Sequence, residues 1–289
     1  MRNAIVISFA AFCAALGCPG LLLAETPAGV AHSVQLDGGK VHYTEYGTGE
    51  NALLFVHGWS CDETFWAGQT PLGAKVHVIT LDLPGHGQSD KPQSPYTMDL
   101  YVRAIDAVLR DAKVKAAVLV GHSNGTPVIR QFYRKFPEKT RALVIVDGGL
   151  RPRADKATME KFLAPLKGPN YEENVGKFVD NMTSSIADTA LREKIKTTML
   201  RTPQYVGVSE FEATLDPELW KPDKITVPVL MLLAKQPAWN AEYEQFARSI
   251  VSTLDYQVWE GVSHFLMMEK PEEFNRAIVT FLEKHKLAN

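Results

Sequence analysis

Eight short apolar or β-branched runs punctuate the chain: 34–36, 41–46, 53–57, 76–81, 117–120, 143–146, 229–233 and 256–259. Helical patterns separate most of them. The later runs are almost unbroken in their hydrophobicity, as strands covered on both faces must be. That predicts an α/β fold with a mostly parallel sheet and helices on either side, while the alternating first two runs predict antiparallel pairing. The alternation lapses between 150 and 222, where 157–166, 171–182, 187–200 and 209–215 read as helices and nothing reads as a strand. An all-helical insertion there would form a lid over the sheet edge.

With 289 residues, 45% hydrophobic and 22% charged, the chain can bury one large core. Its formal net charge of -2, with no block of like charge, argues against nucleic acid or an anionic membrane surface as partner and leaves a small molecule. Arg2, an apolar stretch over 4–16 and Leu22-Leu23-Ala24 before Glu25 read as a secretory signal over about 1–24, which predicts a periplasmic or secreted protein. Gly17, Cys18, Pro19 and Gly20 interrupt that stretch before the roughly 20 apolar residues a membrane span needs. The alternative is a lipid anchor at Cys18, although Ala15-Leu16-Gly17-Cys18 is a poor lipoprotein box. Cleavage after Ala24 would leave Cys61 as the single cysteine, so no internal disulfide is expected, and Cys61 reads as a small buried hydrophobe.

Chemistry points to Gly121-His122-Ser123-Asn124-Gly125, set between the run 117–120 and a helical pattern over 127–136. A serine flanked by glycines at a strand-to-helix turn sits on a bend that lifts its hydroxyl clear of the sheet. The strand before and the helix after are what make so short a motif specific. A serine hydroxyl needs a base, and His264 lies at the carboxyl ends of the strands, between the run 256–259 and a helix opened by Pro271. His122 should point away from the hydroxyl, and His57 and His86 read as loop hydrogen-bonders. The turn at Gly58 can aim the backbone amide of Trp59 into the cleft, where it would join that of Asn124 as an oxyanion hole.

His57-Gly58-Trp59, the stretch 82–89 (Asp-Leu-Pro-Gly-His-Gly-Gln-Ser), the serine elbow, and Gly261 to Phe265 before Glu269 to Phe274 occur in this order along the chain. With them the mature chain resembles, over nearly its whole length, the α/β-hydrolase-fold superfamily in its capped, esterase-like form. The resemblance implies eight strands with a helical cap inserted after strand six: core 25–149 and 223–289, cap 150–222. It also implies a serine esterase that needs no cofactor and no metal, with 82–89 as a structural loop.

One element departs from the family pattern. Members usually carry the triad acid after strand seven, yet Lys235-Gln236-Pro237-Ala238-Trp239-Asn240 holds no carboxylate, and Gln236 stands where it is expected. Asp147, at the end of the sixth run, is the candidate, since some relatives place the acid there and the order Ser123, Asp147, His264 suits the fold. The alternative is a strand-end aspartate bonded to the turn at Gly148-Gly149. Asp223 and Asp255 precede their strands, and Glu242 and Glu244 fall in a helix. The serine argues against dehalogenase and epoxide hydrolase chemistry, which uses an aspartate nucleophile in this fold. Ester, lactone, thioester, amide and carbon–carbon hydrolysis stay open, as do a cofactor-free lyase or peroxidase and a ligand-binding protein without turnover. Phe162, Tyr171, Phe178, Met182, Met199, Tyr205, Phe211 and Trp220 predict an apolar pocket under the cap.

Overall fold

The computed structural model describes residues 27–288, so the secretory signal and the lipid anchor at Cys18 lie outside the described residues. The strands are β1 (Val30–Leu36), β2 (Gly39–Tyr46), β3 (Asn51–Val56), β4 (His77–Leu81), β5 (Ala116–His122), β6 (Thr140–Val146), β7 (Val229–Ala234) and β8 (Leu254–Trp259). They form one sheet in the order β1-β2-β4-β3-β5-β6-β7-β8. β2 pairs antiparallel with β1 and β4, and every later pairing is parallel.

Successive side chains of a strand point to opposite faces, so the apolar runs feed two cores at once. Leu54, Val56, Leu119, Leu143 and Ile145 pack on one face with helices α1 (Met98–Asp111) and α2 (Gly125–Lys135). Leu53, Phe55, Val118, Val120 and Val144 pack on the other, against a 3-10 segment (Glu63–Ala74) that contributes the fully buried Trp66. Emptying such a site by Phe55→Ala is expected to cost about 3–5 kcal/mol. β1 lies at the edge and is half exposed, which is why its sequence alternates.

Between β6 and β7 come four helices: α3 (Lys156–Leu163), α4 (Tyr171–Met182), α5 (Thr189–Met199) and α6 (Gln204–Ala213). Leu163, Val175, Val179, Ile195 and Met199 join the second core, so this insertion is packed onto the sheet layer. Asp155 and Asp188 accept hydrogen bonds from the first-turn amides of α3 and α5, caps worth about 1 kcal/mol each. α6 starts at Gln204, ahead of the expected 209. The segment Gln-Tyr-Val-Gly-Val looks unhelical by propensity, but burial of Val206 and close packing of Gly207 override that preference. After β7 follow α7 (Ala241–Ile250), α8 (Leu266–Glu269) and α9 (Pro271–Lys284). Among the described residues no helix is long and apolar enough to cross a membrane.

Candidate active site

Ser123 follows β5 with φ 51°, the left-handed region that side chains other than glycine rarely enter. Its amide donates to Val146 O (2.9 Å) and its carbonyl accepts from Thr126 N (3.0 Å), which locks the bend. A Cβ at 121 would stand 2.6 Å from Gly125 O, and one at 125 would stand 2.7 Å from both Val56 O and His57 O. Both glycines are therefore required by contact, and the strain at Ser123 is held by the two flanking elements.

Asp147 ends β6 in the same conformation, φ 42°, with its amide bonded to Leu232 O (2.8 Å). Its carboxylate is 1% exposed and surrounded by donors: Ala234 N at 3.0 Å, Trp239 Nε1 at 2.7 Å, and Gln236 Nε2 at 3.3 Å from each oxygen. His264 Nδ1 lies 2.6 Å from Asp147 Oδ2. Burial pushes the Asp147 carboxyl up, but the hydrogen bond and charge of His264, with Arg153 and the Trp239 indole, outweigh it and hold the group below the usual aspartate value. Gln236 thus donates to an acid displaced by one strand. Sequence reasoning noted Gln236 only as a missing acid and passed over Trp239; the polar pair beside an empty acid position was the available signal.

His264 is fixed from both sides. Ser263 N and Oγ both donate to Glu269 Oε1 (2.7 and 2.5 Å), which shapes the loop before α8. His122 donates from Nε2 to His264 O (2.9 Å), and the two rings lie 4.6 Å apart. Burial, then the charge of His264, pushes His122 well below the usual histidine range, so it stays neutral as a support. Among the described residues no hydrogen bond joins Ser123 Oγ to His264, although both side chains line one cavity.

The loop after β3 lies against the elbow: a Cβ on Gly58 would be 3.1 Å from Ser123 Cβ. Among the described residues neither Trp59 N nor Asn124 N is spent on a backbone hydrogen bond. His57 is buried, bonded through Nδ1 to Gly58 O (2.9 Å) and accepting Leu83 N at Nε2 (3.0 Å); burial, then the charge of His86, pushes it down. His86 bonds Pro84 O and Glu210 of α6. Both rings serve loops. Cys61 is buried, and burial drives its thiol well up, away from the reactive thiolate.

The cavity over Ser123, Asp147 and His264 measures about 370 Å³. Trp59, Phe162, Phe178 and Phe211 wall it with ring centroids 5.0–6.2 Å apart. Met182, Met199 and Trp220 also line it, whereas Tyr171 and Tyr205 do not. Tyr171 packs beneath Gly207, and Tyr205 is drawn outward by its hydrogen bond to Lys91 O. His42, Glu63 and Asp82 bring three ligand-type atoms within 4.8 Å of one another. Those atoms hold the 82–89 loop to the sheet: Asp82 accepts from Glu63 N and Gln88 N, and His42 Nε2 meets Glu63 Oε1.

An eight-stranded sheet in this order, with a serine on the turn after its fifth strand, is the architecture of the α/β hydrolases. The chain belongs to the alpha/beta hydrolase family, whose model matches residues 53–277. A 2-hydroxy-6-oxononadienedioate/2-hydroxy-6-oxononatrienedioate hydrolase of Burkholderia vietnamiensis is 27% identical over 85% of this chain and 91% of its own length. An uncharacterized protein of Mycobacterium tuberculosis is 36% identical over 99 residues, a match that reaches 34% of this chain and only 29% of that relative's length. Among solved structures, Est816, described as an N-acyl homoserine lactone degrading enzyme, superposes with TM-score 0.73 at 26% identity, covering 86% of this chain and 100% of its own. A thermophilic esterase superposes with TM-score 0.72 at 28% identity, covering 89% and 99%.

Proposed function

We propose that the protein is a serine hydrolase that cleaves a small, largely apolar carboxylic ester or lactone. The observation that carries this reading is the 2.6 Å contact of His264 Nδ1 with the buried Asp147 carboxylate, under a cavity that also receives Ser123. In this mechanism His264 Nε2 takes the proton of Ser123 Oγ as the oxygen attacks the substrate carbonyl. The amides of Trp59 and Asn124 hold the oxyanion, a contribution of roughly 3 kcal/mol per donor. His264 then protonates the leaving alkoxide, water attacks the acyl-enzyme with His264 as base, and Ser123 is released. Asp147 keeps the Nδ1–H in place and offsets the charge the ring acquires.

Similarity to an esterase and to a lactone-degrading enzyme, each above 25% identity, supports ester and lactone carbonyls as substrates. Aromatic and methionine walls support an apolar acyl group. The rival reading, a ligand-binding protein without turnover, drew its force from the strand-seven loop lacking an acid. A carboxylate bonded to His264 from β6 removes that motive. The signal-like sequence over about 1–24 supports a periplasmic or secreted location as part of this proposal.

A panel of p-nitrophenyl esters of rising chain length, together with lactones, tests the activity. Ser123→Ala is expected to lower turnover at least about 10³-fold with the fold intact. Retained turnover would remove the serine from the mechanism.

A further inference from the structure

Glu210 of α6 is a carboxylate with 1% exposure, and no step above uses it. Such a group is stable in the interior only if its oxygens are bonded. Oε1 accepts Asn124 Nδ2 at 2.7 Å, and Oε2 meets His86 Nε2 at 3.1 Å. His86 Nδ1 faces Pro84 O at 3.1 Å, so both ring nitrogens of His86 point at oxygens. Three residues earlier on the same helix, Gly207 O accepts the indole Nε1–H of Trp59 at 2.8 Å. One turn of one inserted helix therefore grips the side chains of Trp59 and Asn124, the two residues assigned to the oxyanion hole. The grip admits little slack, because a Cβ at Gly207 would lie 2.3 Å from Tyr171 Oη.

We propose that Glu210 is a positioning residue for oxyanion stabilisation: through Asn124 and His86 it ties the inserted helices to the elbow, so the Trp59 and Asn124 amides converge only while α6 is seated. This rests on the serine hydrolase reading above. A glutamine at 210 can reproduce the pattern, its carbonyl accepting Asn124 and its amide donating to His86 Nε2, whereas alanine deprives both Asn124 and His86 of this partner.

The test compares Glu210→Ala, Glu210→Gln, Asn124→Ala and the double variant Glu210→Ala/Asn124→Ala on one ester, with circular dichroism to show that each is folded. Glu210→Ala is expected to lower kcat about tenfold or more with KM changed less than about threefold, since the loss falls on the transition state. Glu210→Gln should recover kcat to within about threefold of the parent, and the double variant should be no worse than the poorer single one. Backbone amide exchange over 56–62 and 121–127 should quicken in Glu210→Ala and not in Glu210→Gln. Unchanged kcat in folded Glu210→Ala, additive losses in the double variant, or unchanged exchange would each overturn the proposal. If the parent protein hydrolyses no ester or lactone, the hydrolase reading falls while the exchange comparison still decides the tie.

Discussion

Ser123 and Asp147 share an uncommon backbone conformation, with φ of 51° and 42°, and in each the left-handed turn at a strand end aims the side chain across the sheet edge. The serine was legible because its requirement is local: two glycines, a strand and a helix lie within a dozen residues. The surroundings of Asp147 were not, because Gln236 and Trp239 stand 89 and 92 residues away and meet it only through strand packing. Asp147→Asn is expected to lower turnover by about 10³–10⁴-fold, measured on the ester that the parent cleaves best. The same variant carries a stability signature. The Asp147 carboxyl titrates lower in the folded protein than its ordinary value of 3.8, so its contribution is complete above that pH and lost as pH falls through the folded value. Denaturant midpoints should therefore separate the parent from Asp147→Asn by about 1–3 kcal/mol at neutral pH and converge in acid below 3.8. A gap that widens in acid would contradict the assigned charge.

β6 and β7 are parallel neighbours in which Val146 pairs with Leu232, so the loops leaving their carboxyl ends open into one space. That geometry is why Gln236 comes within 3.3 Å of Asp147, and it predicts that an acid on either loop would reach the same histidine. Adding Gln236→Asp to Asp147→Asn is expected to restore at least about tenfold of the lost kcat, by returning a carboxylate to the imidazole. Kinetics no better than those of Asp147→Asn alone would show that the acid cannot be exchanged between these strand ends. At this scale the sequence was readable wherever packing and propensity agree, as in the near-continuous apolar β3, β5 and β7. It misled at the start of α6, where Val206 and Gly207 look unhelical alone and become helical by docking on the loops after β3 and β4.

The whole molecule is a sheet edge with helices inserted over it, and on the proposed function the cavity between them selects the acyl group. Phe211 packs edge-on against Trp59 at 6.2 Å and lies 5.2 Å from Phe162, closing one side of that space. Phe211→Ala should shift preference toward longer acyl chains, each added methylene gaining up to about 0.8 kcal/mol once room exists, as read from kcat/KM along a chain-length series. An unchanged chain-length profile would place the acyl group elsewhere. The apolar character of this roof was evident from its aromatic and methionine residues. Which side chains face inward was not, since Tyr205 and Phe211 are separated by six positions on one helix and only their partners, Lys91 and Trp59, set the direction of each.

The account depends on a Ser123 hydroxyl made nucleophilic by His264 and Asp147. Reaction of the intact protein with a fluorophosphonate, followed by mass mapping of the adduct, measures that property without knowledge of the substrate. One adduct per chain on Ser123, lost in Ser123→Ala and slowed by orders of magnitude in His264→Ala, is the predicted result. An unlabelled Ser123, or equal labelling rates in the parent and His264→Ala, would contradict it.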